Sequence, residues 1–323
     1  MDIKQLKNFL RIVELKSFSE ASKHVRIAQP ALGLQVRKLE EELGVKLLER
    51  HARGVSPTEA GMLLYEHADI ILRQVERAKN EVVDVADTPR GNIAFGLTPT
   101  VSLVMGAALV EKYHALCPNV SLRVVDGLSE LLVEWVSTGR LDLAFTYNPS
   151  GAVGLELEPL LVESLYLVGP ADAPQLSGDT ISLSSLTDVP IVLPSKPQVL
   201  RTLVDEGAAK AGVDLNVYLE IDSVQTMKEL VERSVAYTVL PFGAVEAEVG
   251  EGRFAASRII EPEINRTLSI VYSSRRPPSK AFTILHELIQ DISETLIKRG
   301  AASWRPVEEN ITAAKAAAPR DAA

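Results

Sequence analysis

The apolar residues of this 323-residue chain change their period once, at Thr88-Pro89-Arg90-Gly91. Before that point they recur at helical spacing. After it, short strand-like runs alternate with helical ones. A helical bundle cannot absorb the second pattern and a sheet cannot absorb the first, so the chain must fold as more than one piece. The strand-like runs are 92–97, 120–125, 141–147, 165–169, 190–194, 217–221, 237–241 and 267–272, with helical patterns at 101–116, 128–138, 197–211, 223–233, 242–249 and 278–299. Strands separated by helices predict α/β units with largely parallel sheets. One large sheet or two subdomains fit equally well.

Within the N-terminal piece, Ile3, Leu6, Phe9, Leu10 and Val13 share one helix face. Ser17 is a suitable N-cap for a short helix through Phe18, Ala21, Ser22 and Val25,. A third helix opens at Gln29-Pro30, since proline is favoured in a first turn whose N–H groups are unpaired anyway,. Leu32, Val36, Leu39 and Leu43 form its apolar stripe and Gly44 its stop,. Two short helices joined by a tight turn describe a helix-turn-helix, although a small bundle with a solvated face has the same spacing. The opposite side of the third helix carries Pro30, Leu34, Arg37 and Glu41, flanked by Gly33 and Lys38. Recognition helices contact bases through their N-terminal residues, and here that half is small, apolar or basic. An exposed Leu34 suits a thymine methyl. Residues 45–55 read as a β-hairpin wing whose basic tip, Arg53-Gly54, can touch phosphate or the minor groove, or as a plain surface hairpin,.

Net charge first speaks against nucleic acid: 34 basic against 43 acidic residues give −9, and duplex binding is driven by neutralising phosphates. The average hides a division. Residues 1–60 carry +3 and the remainder −12, which predicts a basic module on an acidic body. A lone cysteine, Cys117, excludes an intramolecular disulfide, a structural zinc site and an internal dithiol switch,. Met1-Asp2-Ile3-Lys4-Gln5 is not a secretory start,, and no run approaches the roughly 18 apolar residues of a membrane span. A cytoplasmic protein with no membrane partner is expected.

The segments Phe18-Ser19-Glu20-Ala21-Ser22, Ala28-Gln29-Pro30-Ala31-Leu32, 36–50 and Thr58-Glu59-Ala60-Gly61 together resemble the LysR-type transcriptional regulators, without a gap over about the first sixty residues. Within that family the chain looks most like the nitrogen-assimilation control regulators. Where the family often has serine and then a basic residue after Gln-Pro-Ala-Leu, this chain has Gly33 and Leu34, so a relative's target sequence does not transfer. The resemblance implies an α/β multidomain protein: a winged helix-turn-helix DNA-binding domain over 1–58, a linker and dimerisation helix over 59–89, and a two-lobed α/β effector-binding domain of type 2 periplasmic-binding-protein architecture over 90–304. Lobe I would be 92–161 with 267–300, and lobe II 162–266. The biased segment 305–323 is expected to be a disordered tail. Contacts to double-stranded DNA, a promoter or operator, fall to Ser17, Ser19, Gln29, Pro30, Ala31, Gly33, Leu34, Arg37, Lys38, Arg50 and Arg53.

Ser56-Pro57-Thr58-Glu59 reads as a capping box opening the linker helix,. Leu64, Ala68, Ile71, Val75, Ala78 and Val82 then alternate in steps of four and three, an a/d seam that predicts dimerisation, with packing on its own domain as the alternative,. The resemblance implies an antiparallel homodimer, or a homotetramer built from two, with half-sites about one DNA turn or a multiple apart. RNA polymerase is a further candidate partner.

In open α/β sheets ligands sit beyond the carboxyl ends of strands. Thr98, Thr100 and Ser102 stand at such an end and at a helix start, where free N–H groups favour an anion, although the hydroxyls also suit capping. Pro194 and Ser195, Gln225, and Phe242 with Gly243 occupy comparable turns. These residues are expected to bind a small metabolite effector, a carboxylate fitting the hydroxyl cluster. No GxGxxG, GxxxxGK[ST] or GxSxG motif is present,. The histidines at 24, 51, 67, 114 and 286 form no HxH or HxxxH pair,. Neither an enzyme, a metal nor a cofactor is expected. The rival readings are a cytosolic small-molecule-binding α/β protein whose head serves assembly, and a regulator without an effector.

Overall fold

The computed structural model describes residues 1–51, 54–83, 89–149, 153–274, 278–300 and 303–307. They form two compact units, one built mainly on Met1–Gly91 and the other on Asn92–Ser137 and the chain from Leu141 onward.

The first unit contains α1 (Ile3–Leu15), α2 (Phe18–Val25), α3 (Gln29–Leu43), a hairpin of β1 (Leu48–His51) and β2 (Gly54–Pro57), and α4 (Glu59–Val83). Asp2 and Gln5 close a capping box at the start of α1, and Ser17 Oγ accepts from the Glu20 N–H at α2. Leu32, Val36 and Leu39 face a core with Leu6, Phe9, Ile12, Leu47 and Val55. Leu43, expected on that stripe, is 41% exposed, because α3 ends there and Gly44, at φ 71°, turns the chain away. Glu40 is not merely a solvated acid. Its Oε1 accepts from the Leu47 N–H at 2.9 Å and so holds the entry to the hairpin.

Two expectations for α4 need correction. Ser56 does not cap it, because the hairpin runs on to Pro57, which still pairs with Leu48. Thr58 takes the role: its Oγ1 accepts from the Gly61 N–H at 3.0 Å and donates to the Lys46 carbonyl at 2.7 Å. At Gly61 the helix crosses the hairpin backbone to backbone, and a Cβ there would stand 1.9 Å from the Leu47 carbonyl oxygen. The head also does not end at residue 58. Ala68 is fully buried in the head core, with Leu64, Tyr65 and Leu72 packed against it.

The second unit runs β3 (Gly91–Leu97), α5 (Pro99–Val101), a π-helical turn Ser102–Gly106, α6 (Ala107–Leu116), β4 (Val120–Asp126), α7 (Ser129–Ser137), β5 (Leu143–Tyr147), β6 (Leu155–Pro170), β7 (Thr180–Ser182), β8 (Ile191–Leu193), α8 (Val199–Ala211), β9 (Val217–Glu220), α9 (Val224–Glu232), β10 (Tyr237–Pro241), α10 (Glu246–Gly250), β11 (Phe254–Ile260), β12 (Asn265–Ser273), α11 (Lys280–Lys298) and β13 (Trp304–Arg305). The strand order is β4-β3-β5-β12-β6-β10-β8-β9, with β11 and β13 also on β6, and β7 on β11.

Pairing is mixed rather than largely parallel. β3 with β5, β8 with β9 and with β10, and β7 with β11 are parallel. Every pairing of β6 and β12 is antiparallel. These two strands carry the chain between two separate apolar cores. One gathers Phe95, Leu97, Tyr113, Phe145, Ile270 and Leu285; the other Leu167, Leu183, Ile191, Val204, Leu240 and Ile259. Up to Ser164, β6 pairs with β12; from Leu165 it pairs with β10 and, from Tyr166, with β11. The passage between lobes therefore falls at Ser164/Leu165, inside one 16-residue strand of which the sequence pattern showed only 165–169. β7, β11 and β13 were not expected. Arg305, placed in the tail by its composition, pairs in β13 with Val162, and 308–323 lie outside the described residues. No described helix is long and apolar enough to cross a membrane.

Candidate functional site

Burial of Leu32, Val36 and Leu39 fixes the rotation of α3, so Gln29, Pro30, Ala31, Leu34, Arg37 and Lys38 are exposed, Leu34 by 51%. Arg50, from β1, comes to the same face. Its guanidinium lies 4.8 Å above the Phe18 ring, and the Cβ position of Gly33 is 3.6 Å from its Nη2. Phe18, Gln29, Pro30, Gly33, Leu34, Arg37 and Arg50 line one open groove. The helix lacks a cation at position 34, and the hairpin brings one to the same surface. Ser17 is engaged in capping α2, Ser19 is exposed beside it, and Arg53 lies outside the described residues. Phe18, the platform under Arg50, was not singled out from the sequence; an aromatic residue just after an N-cap also fits plain core packing.

In the second unit a cleft opens beyond the ends of β3, β8 and β10. Thr98, Pro99 and Thr100, with Leu128 to Glu130, Tyr147 and Arg266, line its lobe I side. Pro194, Gln198 to Leu200, Asp222, Val224, Met227 and Leu240 line its lobe II side. Arg266 opens β12 and is 5% exposed; Glu163 of β6 is 2% exposed. Arg266 Nε donates to Glu163 Oε1 at 2.6 Å, its Nη2 donates to Thr100 Oγ1 at 3.0 Å, and its guanidinium lies 3.6 Å from the Tyr147 ring centroid. Thr100 Oγ1 and the Tyr147 hydroxyl are 3.2 Å apart. Burial pushes the Tyr147 hydroxyl well above its ordinary pKa, so it stays neutral,. Trp304 Nε1 donates to Glu163 Oε2 at 2.8 Å. The last described strand thus holds the acid that holds the cleft's cation.

That link is testable. Trp304→Phe keeps an aromatic ring but removes a hydrogen bond to a buried carboxylate, and such bonds contribute about 1.5–3 kcal/mol. Urea unfolding of the full chain should show a loss of that size; an unchanged midpoint and slope would show that the indole N–H is irrelevant.

Residues 3–62 match the family described as bacterial regulatory helix-turn-helix protein, lysR family, and residues 86–293 match the LysR substrate binding domain. The chain belongs to the LysR family. Among its relatives, the nitrogen assimilation regulatory protein nac of Klebsiella aerogenes is 33% identical over 90% of this chain and 94% of its own length. The nac protein of Escherichia coli K12 is 32% identical over 90% of this chain and 95% of its own. The resemblance to that group holds. In fold, the chain superposes on CbnR in complex with its target DNA with a TM-score of 0.71 at 21% identity, over 90% of this chain and 99% of that one. A full-length OxyR variant of Pseudomonas aeruginosa gives 0.67 at 23% identity, over 91% and 94%.

In this LysR-family protein the effector residues expected from sequence separate into three groups. Thr98, Thr100 and Pro194 line the cleft. Ser195 stands behind it: its N–H and Oγ donate to Asp222 at 2.9 and 2.7 Å. Ser102, Gln225, Phe242 and Gly243 are not among the lining residues. Ser102 falls in the π-helical turn, beside Gly106. Gln225 bonds forward to Glu229, and Phe242 packs its ring 5.3 Å from that of Tyr166. Arg266, Glu163, Tyr147 and Asp222 were missed. The signal for the first two lay in the pattern, because Glu163 is a lone acid in the apolar run 160–168 and a charge in such a run needs a partner,.

Proposed function

We propose that this LysR-type regulator reads double-stranded DNA as a dimer through two copies of α3, with a small effector held between the lobes of each body. The exposed face of Gln29 to Lys38 joined by the Arg50 guanidinium carries this reading. Arginine presents a donor fork suited to a guanine edge, and Leu34 suits the neighbouring thymine methyl. The effector acts only insofar as it binds two arrangements of the assembly unequally, so lobe closure must change how the paired heads engage a site. The known relatives are regulators, and we read this chain as a cytoplasmic regulator and not as an enzyme. A two-cysteine switch within the chain is excluded by the sequence, and Cys117 is buried at the end of α6, where burial pushes its thiol pKa up.

Dimerisation is assigned to α4. Leu64 and Ala68 contribute to their own head's core, so the surface left for a partner lies further along, at Ile71, Val75 and Ala78. The side chain of Val82 lies outside the described residues.

Mobility shifts with a selected operator and a scrambled duplex, at two salt concentrations, test the reading. Preference for the operator that weakens with salt is expected; equal binding to both duplexes would reject it. A finer result is expected at Leu34. Deoxyuridine in place of the contacted thymine removes one methyl, about 0.8 kcal/mol or roughly fourfold in affinity. Leu34→Ala should no longer distinguish the two bases; a variant that still does would place the methyl contact elsewhere.

A further inference from the structure

The cleft lining carries one cation, Arg266, and two acids, Glu130 and Asp222, and the cation is already matched by a buried acid. On lobe I the charge of Arg266 is balanced by Glu163 beneath it. Its Nε and Nη2 are engaged, while Nη1 makes no hydrogen bond to a described residue. Thr98 also lines the cleft, is 4% exposed, and its Oγ1 is buried without any partner among the described residues. A buried hydroxyl is normally satisfied, so this one points to a group that arrives from outside the chain.

On lobe II, Asp222 is fixed from one side only. Oδ1 accepts from the Ser195 N–H, from Ser195 Oγ and from Gln198 Nε2 at 2.7 Å, while Oδ2 takes no hydrogen bond from a described residue. Those donors, the Ser195 hydroxyl first, hold the Asp222 carboxyl below its ordinary range. The result is an oriented carboxylate with one oxygen to offer. Glu130 adds a second negative charge to the lining. With Arg266 and Glu163 cancelling, the cleft is net negative. A plain carboxylate would find donors at Thr98 and Arg266 but would meet repulsion from Asp222 and Glu130. A plain amine would leave Thr98 and Arg266 unused. The rest of the lining is largely aliphatic: Leu128, Val199, Leu200, Val224 and Leu240, with Met227.

We propose that the effector is an amino acid with an aliphatic body, its carboxylate held by Thr98, Thr100 and Arg266 and its ammonium by Asp222 Oδ2. This rests on the reading of the cleft as the effector site. It replaces the simple carboxylate suggested by the hydroxyl cluster with a ligand carrying both charges.

Isothermal titration of the full-length chain tests it. The probes are L-leucine, L-valine, L-isoleucine, L-methionine and 4-aminobutyrate. For whichever binds, the matched compounds lacking the amine or the carboxylate follow; for leucine these are 4-methylpentanoate and isoamylamine. The expected result is that one amino acid binds and both of its truncated analogues bind at least tenfold more weakly. Asp222→Asn keeps the Oδ1 acceptor for Ser195 and Gln198 but replaces the free oxygen with an amide, and Thr98→Val removes the orphan hydroxyl. Each should weaken the amino acid at least tenfold. If the deaminated acid binds as tightly as the amino acid, and Thr98→Val weakens it while Asp222→Asn does not, the amino-acid proposal falls and the cleft reading stands. If binding is unchanged in both variants, the ligand sits elsewhere and the cleft reading falls too. If none of the amino acids binds, the proposal is overturned.

Discussion

Arg266→Met should lower the stability of the body by about 3–5 kcal/mol, because it leaves Glu163 as an uncompensated buried charge. Both partners are almost fully buried, and the methionine also gives up the stacking on Tyr147 and the bond to Thr100. For a domain of about 200 residues each kcal/mol moves the melting midpoint by roughly 2–4 °C. Calorimetry of the full chain should therefore show the body's transition fall by on the order of 6–20 °C. The second half of the experiment separates charge from packing. Arg266→Met with Glu163→Gln removes both charges, and the glutamine oxygen can still accept from Trp304. Buried pairs replaced together are often nearly neutral, so most of the loss should return. A single variant that costs under about 1 kcal/mol, or a double variant worse than the single, would show that the pair is not what holds this side of the cleft.

Ile71→Asp should break the dimer and leave each head folded. Ile71 is 37% exposed on α4 and lies outside the head's core, whose nearest α4 members are Ala68 and Leu72. A charge there is tolerated in one chain and repelled by its copy across a two-fold seam. Residues 1–60 carry only +3, so phosphate attraction to a single head is modest,. Linking two heads raises apparent affinity by about 10²–10⁴. Sedimentation velocity should show monomers, and a duplex with two half-sites should bind weaker by that factor. A duplex with one half-site should bind as before. A variant that remains dimeric would move the seam off this part of α4. The head must be studied as 1–83 or longer, because a fragment ending near residue 58 loses Ala68, Leu64 and Leu72 from its own core.

The exposed face of α3 was legible in the sequence because everything that sets it is local. Leu32, Val36 and Leu39 recur on one side, Pro30 starts the helix and Gly44 stops it. Once that stripe is buried, Gln29, Leu34 and Arg37 have nowhere to point but outward. The seam on α4 was legible only in part. Its spacing predicts an apolar face but not what covers it, and the cover changes along the helix from the head's own core at Ala68 to solvent at Ile71. Thr98 and Thr100 could be named because a strand end and a helix start adjoin them in sequence.

Reading the residues in order was enough for the division into a basic helical head and an acidic α/β body, for the exposed face of α3, and for the family. Each of these rests on periodicity, caps and charge within a few tens of residues. The character of the cleft came from the folded chain alone. Arg266 meets Glu163 across 103 residues, and Trp304 reaches the same acid across 141. These partners meet because β12 and β13 return to pair with β6, and strand register, not sequence spacing, sets which side chains share a buried site,. A lone acid or arginine in an apolar strand announces that it needs a partner; only the folded chain says which one, and which oxygen of Asp222 takes no hydrogen bond from a described residue.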